Sequence, residues 1–254
     1  MCLIAWSWYP ESSTPLVLVS NRDEFYARPA LPVHWWGGPS NGNAFLAGKD
    51  LQAGGTWLGV GRTGRLAALT NYRAAVRPDA TAPSRGSLVA GFLDGHMSAA
   101  AYLKKLARHA HIYNPFNLLV FDGESLMGLE SRDGRLVEMQ PGIGGVSNAD
   151  FHTPWPKLMH LKHQLRMHLD DANVTDAQLL LMLRDKDIFP DSLLPQTGVP
   201  LEQERALSAI FIAIPEYGTR ASSVIRVHDE HVDFSEQSFN AAGFESASHL
   251  SFPL

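Results

Sequence analysis

The chain holds a single cysteine, Cys2, directly behind the initiator methionine. Removing a methionine ahead of so small a residue leaves a thiol and a free α-amine on one residue. Their ordinary pKa values, about 8.5 and about 8, are close enough for the amine to take the thiol proton near neutral pH. Such a residue is a nucleophile with its own base attached, suited to acyl transfer. A lone cysteine is equally a small apolar side chain that packs well in a core. Which of the two Cys2 is depends on what the rest of the chain brings to it.

Polar residues at the ends of apolar runs are the candidates. Asn21-Arg22-Asp23-Glu24 follows the apolar run 15–20, Asn71 closes the run Arg65–Asn71, Asn148 closes 144–148, and Arg220 opens 219–227. Polar groups in apolar surroundings cost free energy unless they are paired or serve a site. Turn formation and strand-end capping are the simpler explanation for each residue taken singly. Together, converging on Cys2, they would complete a thiol-dependent acyl-transfer site. The Cys2 amine would relay protons, and Asn71 would donate an amide N–H to the tetrahedral oxyanion, worth about 3–4 kcal/mol when well placed. A guanidinium would hold Cys2 as thiolate, with Asp23 orienting the amine or the guanidinium.

The elements that must position these residues follow from periodicity. Runs 2–8 and 15–20 read as two strands joined by a short loop. A proline-spaced loop through Pro29, Pro32 and Pro39 carries Trp35-Trp36, and a hairpin is expected around Arg62-Thr63-Gly64. A helix is expected up to about Leu93, and a second over Ala99–Arg108 with Ser98 as its N-cap. Strands are expected over 116–121, 125–130, 136–139 and 144–148, and helices over 155–169 and 175–185. After a loop over 189–200, strands over 208–214, 219–227 and 231–234 close the chain. Blocks of strands alternating with blocks of helices argue against a doubly wound parallel sheet. They fit an α+β chain of one domain over 1–254, an αββα four-layer sandwich of two mainly antiparallel sheets.

Composition sets the outer limits. The 254 residues are 45% hydrophobic and 19% charged, with a net charge of −5, so no basic footprint for nucleic acid exists. One cysteine excludes an internal disulfide framework and a cysteine-based zinc site. The longest early apolar run, Leu16–Val19, is too short to span a bilayer, and no basic leader precedes it. A cytoplasmic location without membrane insertion is the expectation. The oligomeric state is left open.

The tetrapeptide Asn21–Glu24 and its flanks also resemble a known family. Met1-Cys2-Leu3-Ile4, Asn21–Pro29, Leu46-Ala47-Gly48-Lys49-Asp50, Gly54–Val60, Ala68–Arg73, Gly145–Asn148, Pro154–Lys157 and Thr219–Ser223 are similar to the NRDE, or transport and Golgi organisation, family. The resemblance implies an N-terminal-nucleophile hydrolase fold. It also brings Asn21, Glu24, Trp57 and Tyr72 to the substrate side of the site. A more distant similarity, to the choloylglycine and penicillin V acylases, implies Cys2, Arg22, Asp23, Asn71, Asn148 and Arg220 as catalytic. In those acylases residues separate the Arg from the Asp, whereas Arg22 and Asp23 are adjacent. Neighbouring side chains on a strand face opposite ways, so either the chain turns at Arg22 or the acid role falls to Glu24.

Two functions are then expected of one fold. In the first, a small molecule with a C–N amide acylates Cys2 and water releases the acid, with no metal or organic cofactor required. In the second, implied by the family's links to haem trafficking and lipid homeostasis, the same cleft carries haem or a lipid-like acyl group. The 11 histidines and the aromatic residues would serve haem, but His160 and His163, three apart on an expected helix, read first as solvated surface. Neither a zinc-protease nor a haem-attachment motif occurs.

Overall fold

The computed structural model describes residues 2–37, 43–73 and 78–254; Met1 and Pro39, named above, lie outside them. Its strands are β1 (Cys2–Trp8), β2 (Leu16–Phe25), β3 (Ala30–Trp36), β4 (Phe45–Asp50), β5 (Leu58–Gly61), β6 (Leu66–Asn71), β7 (Phe116–Phe121), β8 (Leu126–Glu130), β9 (Arg135–Glu138), β10 (Gly142–Val146), β11 (Tyr217–Val227), β12 (His231–Asn240) and β13 (Gly243–Pro253). The α-helices are α1 (Gly86–Leu93), α2 (Ala99–Ala107), α3 (Pro156–Leu169), α4 (Asp176–Met182) and α5 (Leu201–Ala206).

Two antiparallel sheets form, one in the order β10-β1-β2-β11-β12-β13 and the other β3-β4-β5-β6-β7-β8-β9. Cys2, Ile4, Trp6 and Trp8 of β1 point into the core between the sheets, while Leu3 and Ala5 point outward against α3 and α4. Both faces of β1 are therefore covered, and all seven of its residues are buried. That is why it reads as an unbroken apolar run instead of alternating. On the far side, α1 and α2 cover the second sheet through Leu88, Val89, Phe92 and Leu103. The αββα layering is thus observed, with three apolar layers between four tiers.

Local signals account for most boundaries. Ser98 accepts the Ala101 N–H at 3.3 Å and starts α2. Thr175 and Gln178 form a reciprocal capping box on α4, and Pro156 sits at the first turn of α3, where its missing N–H costs nothing. The β5–β6 hairpin closes with Gly61 donating to the Arg65 carbonyl at 2.7 Å and Gly64 at φ 73°.

Four expectations are corrected. Trp35-Trp36 are not in a loop but end β3, paired to Leu46 and Phe45. The apolar run 208–214 is not a strand; Ile210, Phe211 and Ile212 are buried as irregular chain, linked to β11 through the Thr219 N–H and the Ile212 carbonyl at 2.8 Å. β12 runs six residues past 234, and β13 went unread because its sequence is polar and mostly exposed. Finally, β2 does not stop at Ser20. Pairing with β11, from Leu16↔Val227 to Tyr217↔Phe25, carries it through the whole Asn21–Glu24 tetrapeptide.

Candidate active site

Because β2 stays extended, its alternation distributes the tetrapeptide over two faces. Arg22 pairs directly with Cys2 across β1–β2 and with Ala221 across β2–β11, on the face towards the other sheet. The chain has not turned at Arg22, so Asp23 looks the other way, towards α3. The β1–β10 pairing runs from Trp8↔Gly142 to Ile4↔Val146, and Asn148 follows two residues beyond the end of β10.

The Arg22 guanidinium is held from two directions. Its Cζ lies over the Trp57 ring, 4.3 Å from the centroid, and Nη2 donates to Asp50 Oδ2 at 3.3 Å. Asp50 also accepts from Arg28 Nε at 2.7 Å, and Arg28 reaches Glu24 at 3.9 Å. Glu24 is thereby committed to Arg28 and to the Phe25 N–H at 2.9 Å. Trp57 reaches Arg22 only because position 48 is glycine; a Cβ there would stand 2.4 Å from the indole. Gly55 and Gly86 allow a similar approach, backbone to backbone, where a Cβ on Gly55 would meet Gly86 at 2.5 Å. This contact seats the start of α1 beside the site and brings Arg85 into electrostatic reach of Cys2. Arg22 Nη1 is buried, with no hydrogen-bond partner among the described residues.

Asn148 ties the two sheets together. Its Nδ2 donates to both the backbone carbonyl and Oδ1 of Asn71, at 3.0 and 3.1 Å, and its own carbonyl accepts the Arg73 N–H at 2.7 Å. The structure thus sets Cys2 across from Arg22 and joins Asn71 to Asn148. Trp57 meets Arg22. Tyr72 turns aside, its hydroxyl accepting from Arg132 Nη1.

Beneath this end of the sheet lies a set of buried charges. Asp23 Oδ1 accepts from Thr219 Oγ1 at 2.8 Å. Burial pushes its carboxyl above the usual range, and the Lys157 charge opposes the rise. Lys157, fully buried at the start of α3, donates to the Leu207 carbonyl at 2.9 Å, and burial lowers it to about 8. Arg73 and Glu204 complete two opposed pairs with a 2.7 Å ion pair. Opposite charges in such number offset the desolvation that each alone would suffer.

Burial raises the Cys2 thiol, against the lowering by the N-terminal charge and by Arg22. Two expectations need revision. Arg220 is the extra residue of a bulge between Thr219 and Ala221. Nε and Nη1 of its guanidinium are held by four backbone carbonyls, those of Phe25, Tyr26, Arg28 and Phe239, at 2.9–3.1 Å. It pins the chain leaving β2. Asn21 is fully buried, donates to the Leu183 and Ile210 carbonyls at 2.9 and 2.8 Å and accepts from Ser222 Oγ at 2.6 Å. It fastens α4 to the sheet and has no atom left for a substrate.

Sequence reasoning missed Asp50, Arg85, Lys157 and Glu236. The first and third stand inside quoted motif pieces, where a charge in an apolar segment was the available signal. Glu236 lines a cavity of about 250 Å³ together with Arg22, Trp57, Pro32, Arg220 and Ala221. Burial pushes its carboxyl up to about 7. A larger cavity of about 290 Å³ lies on the α3–α4 surface, remote from all of these groups. There His163 is exposed, whereas His160 is half-buried and bonded to Asp185 at 3.0 Å and Gln164 at 2.9 Å. Among the described residues no helix is long and apolar enough to cross a membrane.

Known proteins agree with this architecture. The conjugated bile acid hydrolase of Clostridium perfringens, solved as its C2A mutant, superposes with a TM-score of 0.56 over 100% of this chain and 92% of its own, at 9% identity. That likeness shows an N-terminal-nucleophile hydrolase fold. The Transport and Golgi organization protein 2 homologs of Bos taurus and Homo sapiens are 39% and 36% identical, each over 94% of this chain and 93% of their own. The family model Transport and Golgi organisation 2 matches residues 1–241. The chain belongs to the Transport and Golgi organisation 2 family.

Proposed function

We propose that the chain is a cysteine N-terminal-nucleophile amidohydrolase acting on a C–N amide of a small molecule. The observation that carries this reading is the buried Arg22 Nη1, without a partner and directly across the strand pair from Cys2. A buried unpaired donor costs about 1–3 kcal/mol, a cost that a substrate carbonyl or carboxylate would remove. The related fold belongs to a hydrolase by its own description, and that likeness supports the class of chemistry without naming a substrate.

Removal of Met1 frees the Cys2 amine at the start of β1, next to the level of Asp23 in the β1–β2 register. Sγ attacks the amide carbon while the amine takes the thiol proton. The Asn71 amide and Arg22 receive the charge that develops on the carbonyl oxygen. Collapse of the tetrahedral adduct breaks the C–N bond, and the amine passes its proton to the leaving nitrogen. Water then attacks acyl-Cys2, giving one proton back to sulfur through the amine and releasing the acid. Asp23 and Lys157 set the field around the Cys2 amine, while Trp57 and Asp50 hold the guanidinium.

Intact-mass measurement with and without an electrophilic amide or β-lactam probe tests the proposal. The expected result is loss of Met1 and addition of one acyl group, abolished in Cys2→Ala. A mature protein that retains Met1 excludes the mechanism. A saturable Soret shift on haem titration, unchanged in Cys2→Ala and with no acyl adduct, would instead favour carriage.

A further inference from the structure

At the opposite end of the same sheet, about 20 Å along β2 at 3.3 Å per residue, β11 and β12 meet in a two-residue turn, Asp229-Glu230. His228 and His231 flank this turn, and the His228 N–H donates to the His231 carbonyl at 2.9 Å. Two histidines in that relation share one side of the hairpin end. Asp233, two residues along β12, points the same way. Nε2 of His228 and Nε2 of His231 each stand 3.3 Å from the same oxygen, Asp233 Oδ2. One ligand atom from each of the three lies within 4.8 Å of the others.

Three features distinguish this cluster from a chance surface grouping. First, ligands 2.0–2.1 Å from a tetrahedral ion stand about 3.3–3.4 Å from one another, so both His–Asp edges already have the length an ion sets. Second, His228 Nδ1 is engaged by Thr14 Oγ1 at 2.8 Å. That leaves Nε2 as the coordinating atom, the outer-sphere anchoring typical of metal-binding histidines. Third, His228 Nε2 is buried, and Asp233 is the group it faces. The neighbouring Asp233 carboxylate is itself steadied by the Ser251 hydroxyl.

We propose that His228, His231 and Asp233 form a binding site for a divalent transition-metal ion of the zinc class. Two imidazoles and one carboxylate suit such an ion, and the fourth position is left to water. One adjustment is required. The rings are stacked, 9° from parallel with centroids 4.1 Å apart, and one ion cannot lie in both ring planes. His231, with a side chain 45% exposed, tilts out of the stack while His228 stays anchored to Thr14. A bound ion would lock the β11–β12 turn, which also touches the β1–β2 loop where the Asp229 N–H donates to the Ser13 carbonyl at 3.2 Å.

The test is titration of the full chain with Zn²⁺ against a chromophoric zinc chelator, in a Cys2→Ala background so that thiol binding does not contribute. One equivalent should bind with a Kd of about 1 μM or tighter, weakened at least tenfold by His231→Ala and by Asp233→Asn. His163→Ala, on an exposed face of α3, should leave the affinity unchanged. Circular dichroism checks that each variant is folded. As a second readout, saturating Zn²⁺ should raise the Tm of the Cys2→Ala protein and leave that of His231→Gln in the same background unmoved. Absence of saturable 1:1 binding, or affinity retained in the His231→Ala/Asp233→Asn double variant, would show an ordinary His–Asp pair and overturn the site.

Discussion

The two faces of β2 make opposite use of the same four residues. On the face towards α4, Asn21 has its amide satisfied by two carbonyls and a hydroxyl, all within 3 Å. On the face between the sheets, Arg22 one position later is clamped by Trp57 and Asp50 yet keeps a buried nitrogen unsatisfied. Asn21 is thus bonded on every side and holds the fold. Arg22 is oriented but left with spare capacity, the arrangement a reacting group needs.

Three substitutions would break or sharpen that division. The largest effect is expected from Asn21→Ala, which orphans two buried carbonyls and the Ser222 hydroxyl. It should cost about 4 kcal/mol in urea denaturation, while the fraction still folded labels at Cys2 within a few-fold of the parent rate. If labelling vanished in folded protein, the faces would not be separable.

Next comes Glu236, on the same face as Arg22. Its folded carboxyl, at about 7, lies above the unfolded value near 4.5, so the folded state binds more protons between those two points. The associated stability is fully present below about pH 4.5 and is lost as pH rises through 7, about 3 kcal/mol in all. Glu236→Gln can keep the bond from Val33, 2.7 Å in the parent, and should flatten that dependence. Equal losses in parent and variant between pH 5 and pH 8 would contradict the assignment. Smallest in free energy is Arg22→Ala. Probe acylation should slow about 100-fold, worth about 2.7 kcal/mol, while stability changes little because Asp50 keeps Arg28 at 2.7 Å. Unchanged acylation would reduce Arg22 to a packing residue.

How far the sequence could foresee these faces varied with the kind of signal. Cys2 was legible as the chain's one cysteine, and Arg22, Asn71 and Asn148 because each is a polar residue that follows or closes an apolar run. Asp23 and Glu24 were ambiguous because the end of β2 depends on β11, nearly 200 residues away, and no local pattern records a pairing partner. Glu236 was hidden for a different reason. Ser235-Glu236-Gln237-Ser238 has no apolar contrast, so its burial arises wholly from tertiary contact with β11 and Val33. The run 208–214 misled in the other direction: a buried apolar segment satisfies the strand pattern whether or not a neighbour completes the ladder.

The burial of Cys2 has a practical side as well. Since it is the chain's one sulfhydryl and only 7% exposed with Met1 in place, a thiol reagent reaches the unprocessed chain chiefly when the leading end of β1 parts from its neighbours. Modification by a neutral disulfide therefore works as a clock for that local breathing, read without label or background. Its rate relative to that of the denatured chain gives the free energy of opening directly, provided reclosing outpaces reaction. A substrate that needs the same opening would be limited by that clock, whatever the speed of the chemistry that follows.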